Sequence, residues 1–68
     1  MLIHWIDGFE ITVKCANVTA TISANKEGLL SLSRQLAVLA DGIPGDHIHY
    51  DKYNSLDNVS DELIVVKV

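Results

Sequence analysis

FEITVKCANVTATIS, Phe9 to Ser23, alternates apolar and polar residues on both sides of its only turn signal. Phe9, Ile11, Val13 and Cys15 fall on one face, Glu10, Thr12 and Lys14 on the other. Beyond the turn, Val18, Ala20 and Ile22 alternate with Thr19, Thr21 and Ser23. A period of two is the signature of a half-buried strand. Two such runs back to back predict an antiparallel hairpin. A turn at Ala16-Asn17, with Asn17 accepting a positive φ, pairs Cys15 with Val18, Val13 with Ala20 and Ile11 with Ile22. That register puts all six on one buried face, with Cys15 a small apolar core residue.

The period changes immediately afterwards. NKEGLLSLSRQLAVLADG, Asn25 to Gly42, predicts a helix capped by Asn25, favoured by Glu27 near its positive end and stopped at Gly42. Leu29, Leu32, Leu36 and Leu39 form its inward stripe, and Ser31, Arg34 and Gln35 face outward. Gly28 in the first turn costs helix stability, so a close packing contact is expected there. IPGD, Ile43 to Asp46, reads as a turn. HIHY, His47 to Tyr50, reads as a short strand with Ile48 and Tyr50 inward and His47 and His49 outward. A polar loop follows from Asp51 to Glu62. LIVVKV closes the chain as a β-branched strand, central because both its faces are apolar. MLIHWID at the start extends the first strand, with Gly8 a candidate bulge. The sum is an α+β domain over residues 1–68, a two-layer β-β-α-β-β arrangement. One mostly antiparallel sheet has a single helix packed on one face, and its other face lies open.

Composition limits what such a domain does. At 68 residues with one cysteine, the chain forms no internal disulfide and offers no zinc-type Cys/His spacing. Cys15 and the lack of an apolar leader fit a reducing cytoplasm, and the longest apolar run is too short to cross a membrane. The net charge is −4. Residues 1–40 sum to zero, while residues 41–68 hold Asp41, Asp46, Asp51, Asp57, Asp61 and Glu62 against Lys52 and Lys67. The whole net charge therefore sits in the C-terminal segment. That argues against direct nucleic-acid binding, which needs a basic patch, and suits a basic protein partner steered by acids.

Motifs for catalysis are missing. No nucleophile elbow, phosphate loop or metalloprotease helix is present, and one helix on one sheet leaves little concave volume. An enzyme is not expected, nor any cofactor. His47 and His49 project to the same side of a strand and could share a metal, with Asp46, Asp51 or His4 as further ligands. This metal-binding reading is the first alternative. A structural homo-oligomer, such as a homodimer docked through an open face or edge, is the second. The favoured reading makes His47, His49, Asp51, Tyr53, Asp57 and Asp61 candidates for a protein interface, with Tyr53 the best exposed anchor.

GFEITV, NKEGLLSLSRQLAVLA, GDHIHYD and SDELIVVKV together resemble short bacterial immunity proteins of polymorphic toxin systems, specifically immunity protein family thirty-two. The helix start N-x-E-G-L-x-x-L at Asn25–Leu32 and the H-x-H strand carry most of the likeness. The resemblance implies a non-enzymatic α+β protein that binds and neutralises a cognate toxin, such as a basic nuclease, in the cytoplasm of the producing cell.

Overall fold

The computed structural model describes residues 4–68 and contains β1 (Ile11–Ala16), β2 (Thr19–Ala24), α1 (Lys26–Ala40), β3 (His47–Tyr50) and β4 (Leu63–Val66). The element order matches the expectation. The sheet does not: β1 pairs only with β2, and β3 only with β4, giving two separate antiparallel ribbons. The parity of Leu2 and Ile3 lies outside the described residues.

The hairpin forms in a register two residues from the expected one. Ala16 faces Thr19, Cys15 faces Ala20, Val13 faces Ile22 and Ile11 faces Ala24. A slip of two keeps every side chain on its face, so alternation alone could not separate the two registers. The turn separates them. It falls at Asn17-Val18, with φ of 51° and 61°. A two-residue loop of this kind needs positive φ at both positions. Asn17 tolerates that conformation readily, whereas Val18 takes the second position at a steric cost.

Burial departs further from the pattern. Ile11 and Val13 are fully buried, but from Lys14 onward β1 is exposed, and so is β2 from Thr19 to Ser23. The outer half of the hairpin overhangs the body. Cys15, expected in the core, is exposed, because nothing reaches out far enough to cover it.

Asn25 explains how the hairpin base and helix are joined. Its side-chain oxygen accepts from Gly28 N at 2.8 Å and from Glu10 N at 3.0 Å, and its amide donates to the Gly8 carbonyl at 2.8 Å. One residue thus caps α1 and latches the entry to β1. Gly28 is needed at the crossing: a Cβ there would lie 2.6 Å from the Glu10 carbonyl oxygen and 3.0 Å from Ile11. Gly42 also serves by its size, since a Cβ would strike the Asp46 carboxylate. The helix itself ends on Asp41 in a right-handed conformation, and the Lys67 ammonium donates to the Ala40 carbonyl at 2.7 Å. A cation there complements the negative helix end.

The helix buries Gly28, Ser31, Leu32, Gln35 and Leu39, a stripe rotated from the leucine face. Leu29 and Leu36 are about half exposed, while Ser31 and Gln35, expected to face water, are buried. The reason is an irregular segment lying over the helix. Ser31 Oγ accepts from Ile6 N at 2.9 Å, and Gln35 Nε2 donates to the His4 carbonyl at 2.8 Å. Backbone without a ladder must find other partners when buried, and these two side chains supply them. Gln35 Oε1 also accepts from the Tyr50 hydroxyl at 2.8 Å. Burial pushes the Tyr50 phenol above its usual value of 10.0, so it stays a neutral donor at physiological pH.

The segment from His4 to Glu10 is not a strand extension. Phe9 N donates to the Ile6 carbonyl at 3.1 Å around Asp7-Gly8, with Gly8 at φ 86°. This is a turn rather than a bulge. It stacks Trp5 on Phe9 at 4.4 Å, and Trp5 meets Tyr50 edge-on at 6.0 Å. Beneath them lies the core of Ile11, Val13, Leu32, Leu39, Ile48, Tyr50 and Leu56.

Candidate functional site

The polar loop after β3 decides how the surface is arranged. It runs along the free edge of β1. The Ile11 carbonyl accepts from Asp57 N at 3.1 Å, and the Val13 carbonyl accepts from Asp61 N at 2.7 Å. Val13 N donates to Ser60 Oγ at 3.1 Å, and Cys15 N to Asp61 Oδ2 at 2.8 Å. Thr12 Oγ1 donates to the Asp57 carboxylate, and the Lys14 ammonium to the Val59 carbonyl. The loop cannot continue as a strand, because it turns with Ser60 N donating to the Asp57 carbonyl at 3.0 Å. Two side-chain oxygens replace the carbonyls a strand would have offered. The β1 edge is thus covered by a loop and not by a strand, and the two ribbons stay separate.

The acids of this loop have definite partners. Asp51 Oδ1 accepts from Tyr53 N at 2.9 Å and Asn54 N at 3.0 Å, setting the first turn of the loop. Asp57 and Asp61 are the clamps just described. All three hold the loop in place. Tyr53 is 86% exposed, with the Lys52 ammonium 5.2 Å above its ring.

His47 and His49 face outward, opposite Val66 and Ile64, while Ile48 and Tyr50 are buried as the alternation predicts. Lys67 N donates to the Asp46 carbonyl at 2.8 Å, so the alternate pairs His47–Val66 and His49–Ile64 are the close, non-hydrogen-bonded kind. Each imidazole therefore lies beside a half-exposed aliphatic side chain. β4 is not a central strand: Leu63 and Val65 turn inward, and Ile64 and Val66 face out. His49 Nε2 lies 3.4 Å from Glu62 Oε2 at an exposed position, a pair worth little. Among the described residues no three His, Cys, Asp or Glu side chains come together as metal ligands. Asp46 is turned to Ile43 N at 3.1 Å, and Asp51 into its own loop. A depression of about 740 Å³ opens to solvent between His4, Val38, Asp41 and His47.

Thr12, Lys14, Thr19, Thr21 and Ser23 lie on the β1–β2 ribbon and His47 and His49 on the β3–β4 ribbon, so the single open face expected of the sheet is divided. What the sequence reading missed is the hairpin tip. Val18 is fully exposed and left-handed, a conformation costly for a β-branched residue. The available signal was charge: nothing from Cys15 to Asn25 is ionisable except the thiol.

With this geometry in place, the comparison with known families is decisive. The profile described as Immunity protein 32 matches residues 19–68, from β2 to the last residue. The chain belongs to this immunity protein family. The match spans the helix start and the H-x-H strand that carry the resemblance. No curated protein and no solved structure gives a significant match. Among the described residues no helix of this immunity protein is long and apolar enough to cross a membrane.

Proposed function

We propose that this immunity protein neutralises a cognate bacterial toxin by binding it in the cytoplasm of the producing cell, without catalysis. The observation that carries the reading is membership of the family over residues 19–68. The charge distribution supports it: the −4 net charge is confined to residues 41–68, and such a field raises the encounter rate with a basic partner such as a nuclease. His47, His49, Asp51, Tyr53, Asp57 and Asp61 remain the proposed contact residues on this side. Asp51, Asp57 and Asp61 act through charge, since their oxygens already accept internal hydrogen bonds.

The test is stopped-flow association with the toxin domain encoded beside this chain, at low and high salt. Asp41→Lys combined with Glu62→Lys reverses two exposed acids and leaves the loop clamps intact. The expected result is slower association and a flatter salt dependence. An unchanged on-rate would remove the acidic surface from the reading, and no binding by the unaltered chain would remove the reading itself.

A further inference from the structure

The β1–β2 ribbon has two edges, treated in opposite ways. Ile11, Val13 and Cys15 turn their backbone groups toward the loop, where four hydrogen bonds meet them. In an antiparallel ladder, residues facing one another share the same orientation. Ala20 faces Cys15 and Ile22 faces Val13, so the N–H and C=O groups of Ala20 and Ile22 point to the opposite edge. Among the described residues nothing bonds to them.

Open edges are ordinarily guarded by charge, proline, bulges or a covering segment. β2 has none of these. Thr19–Ala24 contains no charged residue, proline or glycine, and its ladder to β1 is unbroken over six pairs. Thr19 to Ser23 are exposed along the whole length. In a chain with 21% charged residues, the exposed run from Cys15 to Ser23 carries no charge, and charge is depleted at interface cores. The strained turn adds to this. A β-branched residue at φ 61° persists at a tip where glycine would fit better, and such strain gathers at functional positions.

We propose that the β2 edge is the docking site for an extended, uncharged strand of the cognate toxin, which adds to the hairpin as a third strand. This rests on the toxin-binding reading above and adds an uncharged surface to the acidic contact residues named there. The two faces of the ribbon define the guest. Next to Ile22 and Ala20 it presents apolar side chains, and next to Thr19, Thr21 and Ser23 it presents small or hydroxyl side chains. Main-chain hydrogen bonds supply affinity and the alternation supplies register. A second copy of this chain is a poorer guest. Two six-residue strands pairing edge to edge bury on the order of 400 Å² by strand dimensions, against about 1,000 Å² for a specific interface. Each copy also carries −4. A larger toxin adds contacts beyond the strand.

The experiment is amide hydrogen exchange on the free chain and on its complex with the toxin domain encoded beside it, together with calorimetry of two variants. Ala20→Pro removes an outward N–H without touching the ladder to β1, and Ile22→Lys places a charge at the edge. In the free chain the Ala20 and Ile22 amides should exchange fast and those of Thr21 and Ser23 slowly. In the complex the Ala20 and Ile22 amides should become protected, and each variant should bind at least tenfold more weakly while keeping its circular dichroism. Unprotected Ala20 and Ile22 amides in a formed complex, or variant affinities within threefold of the original, overturn the edge and leave toxin binding standing. Failure of the unaltered chain to bind overturns both. Self-association that Ala20→Pro abolishes, with toxin affinity unchanged, assigns the edge to a second copy and overturns the proposal.

Discussion

One ribbon, two edges: the β1 side is sealed by an irregular loop, the β2 side is bare. The sealed edge shows that covering a strand does not require a strand. Ser60 Oγ and Asp61 Oδ2 occupy places where a neighbour's carbonyls would stand, and Leu56, 6% exposed, anchors the loop in the core. The bare edge shows the reverse. A regular strand with good alternation can lie outside the core along most of its length. Regularity and burial are separate properties here.

The contrast can be broken most severely from below the sealed edge. Leu56→Ala removes the anchor and leaves a cavity, at a cost of about 2–5 kcal/mol by urea unfolding. The Val13 and Cys15 amides should lose protection at the same time. Removing a clamp directly is milder: Asp61→Ala should cost about 1.5 kcal/mol, the low end for a charged acceptor because Cys15 is exposed. Its sign should be the same at every salt concentration, since the loss is of a short hydrogen bond and not of a distant charge. On the bare side the expectations change sign and shrink. Val18→Gly relieves a left-handed β-branched residue with no burial to lose, and should stabilise the chain by somewhat under 1 kcal/mol in the same assay. Ala20→Lys should move stability by no more than about 0.5 kcal/mol, and a larger loss would mean that the edge is covered within the free chain.

Much of this was legible in the residues. Period two over Phe9–Ser23 gave the hairpin, Asn25 and Gly28 gave the helix start and its close contact, and the HIHY alternation placed Ile48 and Tyr50 inward. Three features were not. The leucines of α1 suggested the wrong buried stripe, because Ser31 and Gln35 are drawn inward by backbone groups far away in sequence. The expected single sheet is two ribbons, with a turning loop and not a strand along the β1 edge, and no local pattern shows which edge a loop will follow. The candidate surface was half visible. His47, His49 and Tyr53 are exposed as expected, whereas Asp51, Asp57 and Asp61, chosen for their charge, also act as hydrogen-bond acceptors that hold the loop.

By itself the sequence determined the element order, the alternation of β1, β2 and β3, the helix cap and the segregation of charge, because these depend on neighbours a few residues away. Only the tertiary structure decided the hairpin register, the rotation of the helix and which strand edge was closed. The helix rotation and the closed edge depend on where polar backbone finds its partners, and those partners come from segments tens of residues apart.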